Sequence, residues 1–84
     1  MSKVQIYSTG WCPYCSATRE LLDERGIGYE EIDATAPDIR ADMIQRAHGR
    51  RTVPQIFIEG RHIGGYRELT SLADDGGLDR LRDA

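Results

Sequence analysis

The sequence predicts an α/β fold: a four-stranded mixed sheet flanked by helices, with elements in the order β-α-β-α-β-β-α and a short helix at the end. Three observations lead there. Residues 3–8 alternate in period two and read as a strand. Helical spacing replaces that alternation from Cys12 to Arg25 and returns after Pro37. The strand Gln55–Ile58 then leads through Glu59-Gly60 into a returning strand, Arg61–Ile63, the pattern of a hairpin. A strand–helix–strand unit gives a parallel pair through a right-handed crossover, and the hairpin adds an antiparallel pair.

Each element has local reasons. Ser8-Thr9-Gly10-Trp11 is a short loop after the first strand. Pro13 suits a helical first turn, where its missing N–H is no loss, and Gly26 suits the stop. Ala17, Leu21 and Leu22 are the expected buried stripe of that helix. Tyr29–Ile32 reads as the second strand. Pro37-Asp38 opens a second helix, with Ile39, Met43 and Ala47 at fourfold spacing and Gly49 at its end. Gln55–Ile58 and Arg61–Ile63 are the hairpin strands, broken by Gly64-Gly65. Leu69 and Leu72 mark a third helix, and Leu78 with Leu81 a short terminal one.

The 84 residues leave room for one domain, residues 1–84, and no second core. A chain of this size buries only about 60% of the surface its unfolded form exposes. With 39% hydrophobic and 30% charged residues, the composition is that of a soluble globular protein. No apolar run approaches the roughly 20 residues of a membrane span, and Met1–Tyr7 does not read as a signal peptide. The net charge of −3 argues against nucleic acid as the main partner.

The two cysteines, Cys12 and Cys15, lie three positions apart. A bridge between them closes a very short loop and removes little entropy from the unfolded chain, so it is a poor staple. Redox exchange is the better use. It needs one ionised, reachable thiol and a second close enough to resolve a mixed disulfide. A helix N-terminus supplies the first, because unpaired N–H groups and the dipole draw a thiol pKa down to roughly 3.5–7.5. The i, i+3 spacing supplies the second, with Cβ atoms about 5–6 Å apart on one helical face. Cys12 is then the exposed nucleophile and Cys15 the less exposed resolver. The competing reading is half a zinc site, which needs four ligands. The other candidates are His48 and His62, one at a helix end and one in a hairpin, so no metal is expected. His48 reads as a charge near a helix C-terminus, and His62 as a surface strand residue.

With its CxxC between a first strand and first helix, the chain resembles the thioredoxin superfamily. Cys12-Pro13-Tyr14-Cys15 narrows the resemblance to the glutaredoxin family, in its dithiol, bacterial form. Thr52-Val53-Pro54 is similar to the family's Thr-Val-Pro segment, and Gly64-Gly65 to its Gly-Gly turn before the third helix. The resemblance covers essentially the whole chain and implies a thioredoxin fold. It further implies that Pro54 is cis and faces the cysteines, and that glutathione is the co-substrate. Beside a cis proline, the backbone of Val53 is free to pair with a peptide-like substrate. Gly64-Gly65 lets the backbone approach a ligand, and the helix that follows can hold a carboxylate.

The implied glutathione-binding residues are Tyr14, Arg51, Thr52, Val53, Pro54, Gly64, Gly65, Tyr66 and Arg67. Trp11 and Tyr14 are expected to flank the groove, and Tyr7 to belong to the core. Two departures stand out. Thr9 occupies the place where many relatives carry a lysine, and Tyr66-Arg67-Glu68 the place where the family often has a small residue and two aspartates. Arg51 is favoured over Arg50 for the glycyl carboxylate.

The function implied is glutathione-dependent reduction of protein–glutathione mixed disulfides and of protein disulfides, by a cytoplasmic monomer. One alternative is a dithiol electron donor for a single client such as a ribonucleotide reductase. Another is a carrier of a [2Fe-2S] cluster ligated by Cys12 and glutathione, which the rigid Pro13 and bulky Tyr14 disfavour.

Overall fold

The computed structural model describes residues 3–82. Strands β1 (Val4–Ser8), β2 (Glu30–Asp33), β3 (Gln55–Ile58) and β4 (Arg61–Gly64) form one sheet in the order β2-β1-β3-β4. The β1–β2 pair is parallel, and the β1–β3 and β3–β4 pairs are antiparallel. Helices α1 (Pro13–Glu24), α2 (Pro37–Arg46) and α3 (Tyr66–Asp74) lie in the connections, and a 3-10 turn spans Asp79–Leu81. This is the thioredoxin fold.

Period-two alternation divides the side chains of the central strands between two apolar layers. Val4 and Ile6 of β1 and Ile56 and Ile58 of β3 pack with Leu22 of α1, Leu69 and Ala73 of α3, and Leu78 and Leu81. Tyr7 and Phe57, one residue out of phase, pack on the other face with Met43 and Ala47. A register shift between Ile56 and Phe57 brings Ile56 opposite Gly64 and Phe57 opposite His62.

Several expectations shift. Cys12 is the N-cap of α1 rather than its first residue, and β2 begins at Glu30 rather than Tyr29. Gly64 still belongs to β4, so the break falls at Gly65. The terminal helix is a single 3-10 turn. The buried stripe of α1 is Cys15, Thr18 and Leu22, while Ala17 and Leu21 are half-buried. Thr18 tolerates this place because its hydroxyl donates to the Tyr14 carbonyl at 2.8 Å, one helical turn back. In the hairpin, Glu59 (φ 53°) and Gly60 (φ 82°) both take positive φ, as a two-residue turn matched to strand twist requires.

Candidate active site

Cys12 and Cys15 are joined in a disulfide at the N-terminus of α1, with Cα atoms 5.1 Å apart. Cys12 caps the helix in extended backbone, and Pro13 follows it. The Cys15 N–H donates to Cys12 Sγ at 3.1 Å. When the bond is reduced, the same donor and the positive end of the helix face the sulfur and favour its anionic form. Burial separates the two sulfurs. Cys15 has no exposed surface, whereas Cys12 is half-buried and open to a reactant.

Val53 closes the site from the other side. Its carbonyl oxygen lies 3.8 Å from Cys12 Sγ, and the Val53–Pro54 peptide is cis. Beside it runs an open groove of about 600 Å³, lined by Tyr14, Thr52, Val53 and Pro54. Arg50, Gly65, Tyr66, Arg67, Glu68 and Thr70 complete the lining. The Tyr14 and Tyr66 rings approach to 5.9 Å between centroids. Trp11 is 87% exposed and lies outside that lining, so it offers surface next to Cys12 rather than a groove wall. Tyr7 is buried, edge-on to Phe57, and its hydroxyl accepts from Arg46 at 2.8 Å.

The charged wall departs from expectation. Arg50, not Arg51, lines the groove. The Arg51 carbonyl instead accepts from Arg40 Nη2 at 2.8 Å, which ties that residue's backbone to α2. Arg50 Nη1 donates to Glu68 Oε1 at 2.8 Å, and the same oxygen accepts from the Gly65 N–H at 2.7 Å. These two bonds hold the Glu68 carboxyl below the usual glutamate range, the arginine contributing first. Gly64 lies behind this pair and not on the groove lining. Its φ is +123°, and a Cβ there would meet Glu68 Oε1 at 2.5 Å and Arg50 Nη1 at 2.9 Å. The absent side chain therefore makes room for the protein's own ion pair. Sequence reasoning placed no role on Glu68. Its position three residues after the helix N-cap is the available signal, since a glutamate there reaches back to the cap N–H.

The glutaredoxin family model matches residues 4–63, which include both cysteines and the cis proline. Glutaredoxin 3 of Escherichia coli K12 is 47% identical over 83 residues, covering 96% of this chain and 98% of that protein. A glutaredoxin of Pseudomonas aeruginosa is 42% identical over 85 residues, covering the whole of both. The chain belongs to the glutaredoxin family. Among solved structures, a glutaredoxin of Brucella melitensis is 46% identical with a TM-score of 0.81, covering 96% of this chain and 88% of that one. A buckwheat glutaredoxin solved as a complex with glutathione is 34% identical with a TM-score of 0.84, covering 95% and 76%. Family and cysteine pair together make this chain a thiol–disulfide oxidoreductase. Among the described residues no helix is long and apolar enough to cross a membrane.

Proposed function

We propose that the chain reduces protein–glutathione mixed disulfides and protein disulfides, with glutathione as the reductant that resets it. The observation that carries this reading is the groove beside Cys12, lined by the backbone-presenting Val53 together with Arg50, Arg67 and Glu68. Glutathione carries two carboxylates and one ammonium, and Arg50 and Arg67 supply charge opposite to the carboxylates. The Val53 backbone suits its peptide-like middle, and the positive end of α3 favours an anion. The buckwheat relative solved with glutathione supports the same ligand.

The half-open Cys12 is the nucleophile. Its thiolate attacks the glutathione sulfur of a mixed disulfide, forming a Cys12–glutathione bond and releasing the client as thiolate. A second glutathione thiolate then attacks that glutathione sulfur, releasing glutathione disulfide and restoring the Cys12 thiolate. With a protein disulfide, the Cys12 thiolate attacks one client sulfur and the client S–S bond breaks, releasing the other client sulfur as thiolate. The Cys15 thiolate then attacks Cys12 Sγ and expels the remaining client sulfur, leaving a reduced client and the Cys12–Cys15 disulfide. Two glutathione thiols reduce that disulfide, with release of glutathione disulfide. The exposed Trp11 (87%) and Tyr14 (64%) beside the site favour docking of protein clients on this second route, including a dedicated one. In this reading the protein acts as a cytoplasmic monomer, where reductants keep such a pair cycling.

Turnover of a glutathionylated peptide and of a protein disulfide tests the assignment. Cys12→Ser is expected to abolish both. Cys15→Ser is expected to keep the first and lose most of the second. A Cys12→Ser variant that still cleaves glutathionylated peptide would reverse the roles.

A further inference from the structure

His48 and His62, fourteen positions apart in sequence, meet on the α2 face of the sheet. His62 stands on β4 beside Phe57, with ring centroids 5.1 Å apart. His48 follows α2 in left-handed backbone, at φ 57°. Their Nδ1 atoms are 3.4 Å apart. That is longer than an ordinary hydrogen bond, about 2.7–3.2 Å. It is the spacing that two imidazoles take on a tetrahedral ion, since bonds of about 2.0–2.1 Å put the two nitrogens roughly 3.3–3.4 Å apart.

A second observation fixes which nitrogen is free. The Gln55 amide nitrogen donates to the Thr52 carbonyl at 2.9 Å and to its hydroxyl at 3.3 Å. The Gln55 amide oxygen therefore faces His62 Nε2, at 2.7 Å. A carbonyl oxygen only accepts, so Nε2 carries the proton and neutral His62 turns the Nδ1 lone pair toward His48. A metal-binding histidine ordinarily donates its other N–H to an oxygen in this way. Gln55 has no exposed surface, which makes the partner rigid.

We propose that His48 and His62 bind a divalent transition-metal ion that prefers imidazole, with water completing its coordination. Among the described residues no group of three or more His, Cys, Asp or Glu is gathered, so the described residues supply two such ligands. Imidazole selects Cu(II), Ni(II) and Zn(II) over Ca(II) and Mg(II), which take oxygen, and Cu(II) binds tightest of the three. Arg50 is the nearby cation, and its charge is offset by Glu68. The site uses neither cysteine and does not depend on glutathione being the co-substrate.

Titrating the untagged, oxidised protein with Cu(II), Ni(II) or Zn(II) tests this, because the closed disulfide removes both thiols as competitors. Calorimetry is expected to show one equivalent bound, with both histidine Nδ1 resonances moved in nitrogen NMR with Zn(II). His48→Asn, which suits left-handed backbone, and His62→Gln should each weaken binding by roughly tenfold or more, since each removes one of two ligands. Gln55→Met should weaken it about 10–100-fold with both ligands in place. Ca(II) and Mg(II) should not bind. Undiminished binding by His48→Asn, or no uptake of Cu(II) at millimolar concentration, would overturn the proposal.

Discussion

Cys15, on the inner face of α1, has no exposed surface, whereas Arg50 and Glu68, on the groove wall, keep 45% and 39% of their side chains in solvent. The redox end of the site is set by backbone. An extended N-cap, a proline and one N–H aimed at Cys12 Sγ sit on a helix anchored through Leu22. The groove wall is set by half-exposed charges, each worth only about 0.2–1 kcal/mol as a pair. The first arrangement changes when the fold changes. The second is adjustable by single substitutions and by salt, which suits a surface that selects ligands on a scaffold that performs one reaction.

The largest expected effect breaks the rigid half. Leu22→Ala removes a fully buried side chain between α1 and the sheet and should cost about 2–5 kcal/mol in denaturant unfolding. Surviving variant protein should lose cysteine reactivity along with stability. If stability falls by less than about 1 kcal/mol, α1 is not anchored as its burial implies.

The adjustable half is tested by neighbouring arginines. Arg50→Ala should raise the Michaelis constant for glutathione roughly two- to tenfold, with turnover at saturation nearly unchanged. Arg51→Ala should leave both unchanged, since Arg51 lies outside the groove lining. The reverse result would return the carboxylate contact to Arg51. Salt above about 0.15 M should shrink the Arg50 effect.

Glu68→Gln sharpens the comparison further. The amide oxygen can still accept from the Gly65 N–H, but Arg50 is released from its resident carboxylate. Glutathione should bind more tightly, by about fivefold or less. Weaker binding would instead make Glu68 the partner of the ligand's ammonium.

The smallest effects are in pH. His62 has a pKa lowered by burial, so the unfolded chain takes up a proton before the folded one does. Stability should be level above about pH 6.5 and decline as pH falls through the ordinary histidine range. His62→Gln should flatten that slope. The Glu68 carboxyl is lowered by Arg50 and Gly65, so its contribution is complete above the ordinary glutamate range and is lost as pH falls through the lowered pKa. Glu68→Gln should remove that acid-side loss, read from melting temperature across pH 3–5, a window spanning about a unit either side of ordinary carboxylates.

Much of this was legible in the chain because its causes are local. Alternation in β1, Pro13 and Gly26 around α1, Pro37 at the start of α2 and Glu59-Gly60 between β3 and β4 act over a few residues, so their order and extents follow from pattern. The cysteines' placement at a helix start is local too. The stripe of α1 is not given by apolar side chains alone, because Thr18 goes inside with its hydroxyl bonded to the Tyr14 carbonyl.

What only the tertiary structure decided are contacts between segments far apart in sequence. Arg50 and Arg51 are indistinguishable as residues. Arg40 of α2 takes the Arg51 carbonyl and Glu68 of α3 takes the Arg50 side chain, and those partners lie 11 and 18 positions away. The room for that ion pair exists because Gly64 ends β4 without a side chain. The meeting of His48 with His62 depends on where α2 ends over the sheet and on which residue of β4 faces Phe57. No local pattern encodes a crossing of that kind, because it is set by the packing of a whole helix against a sheet whose register is fixed elsewhere.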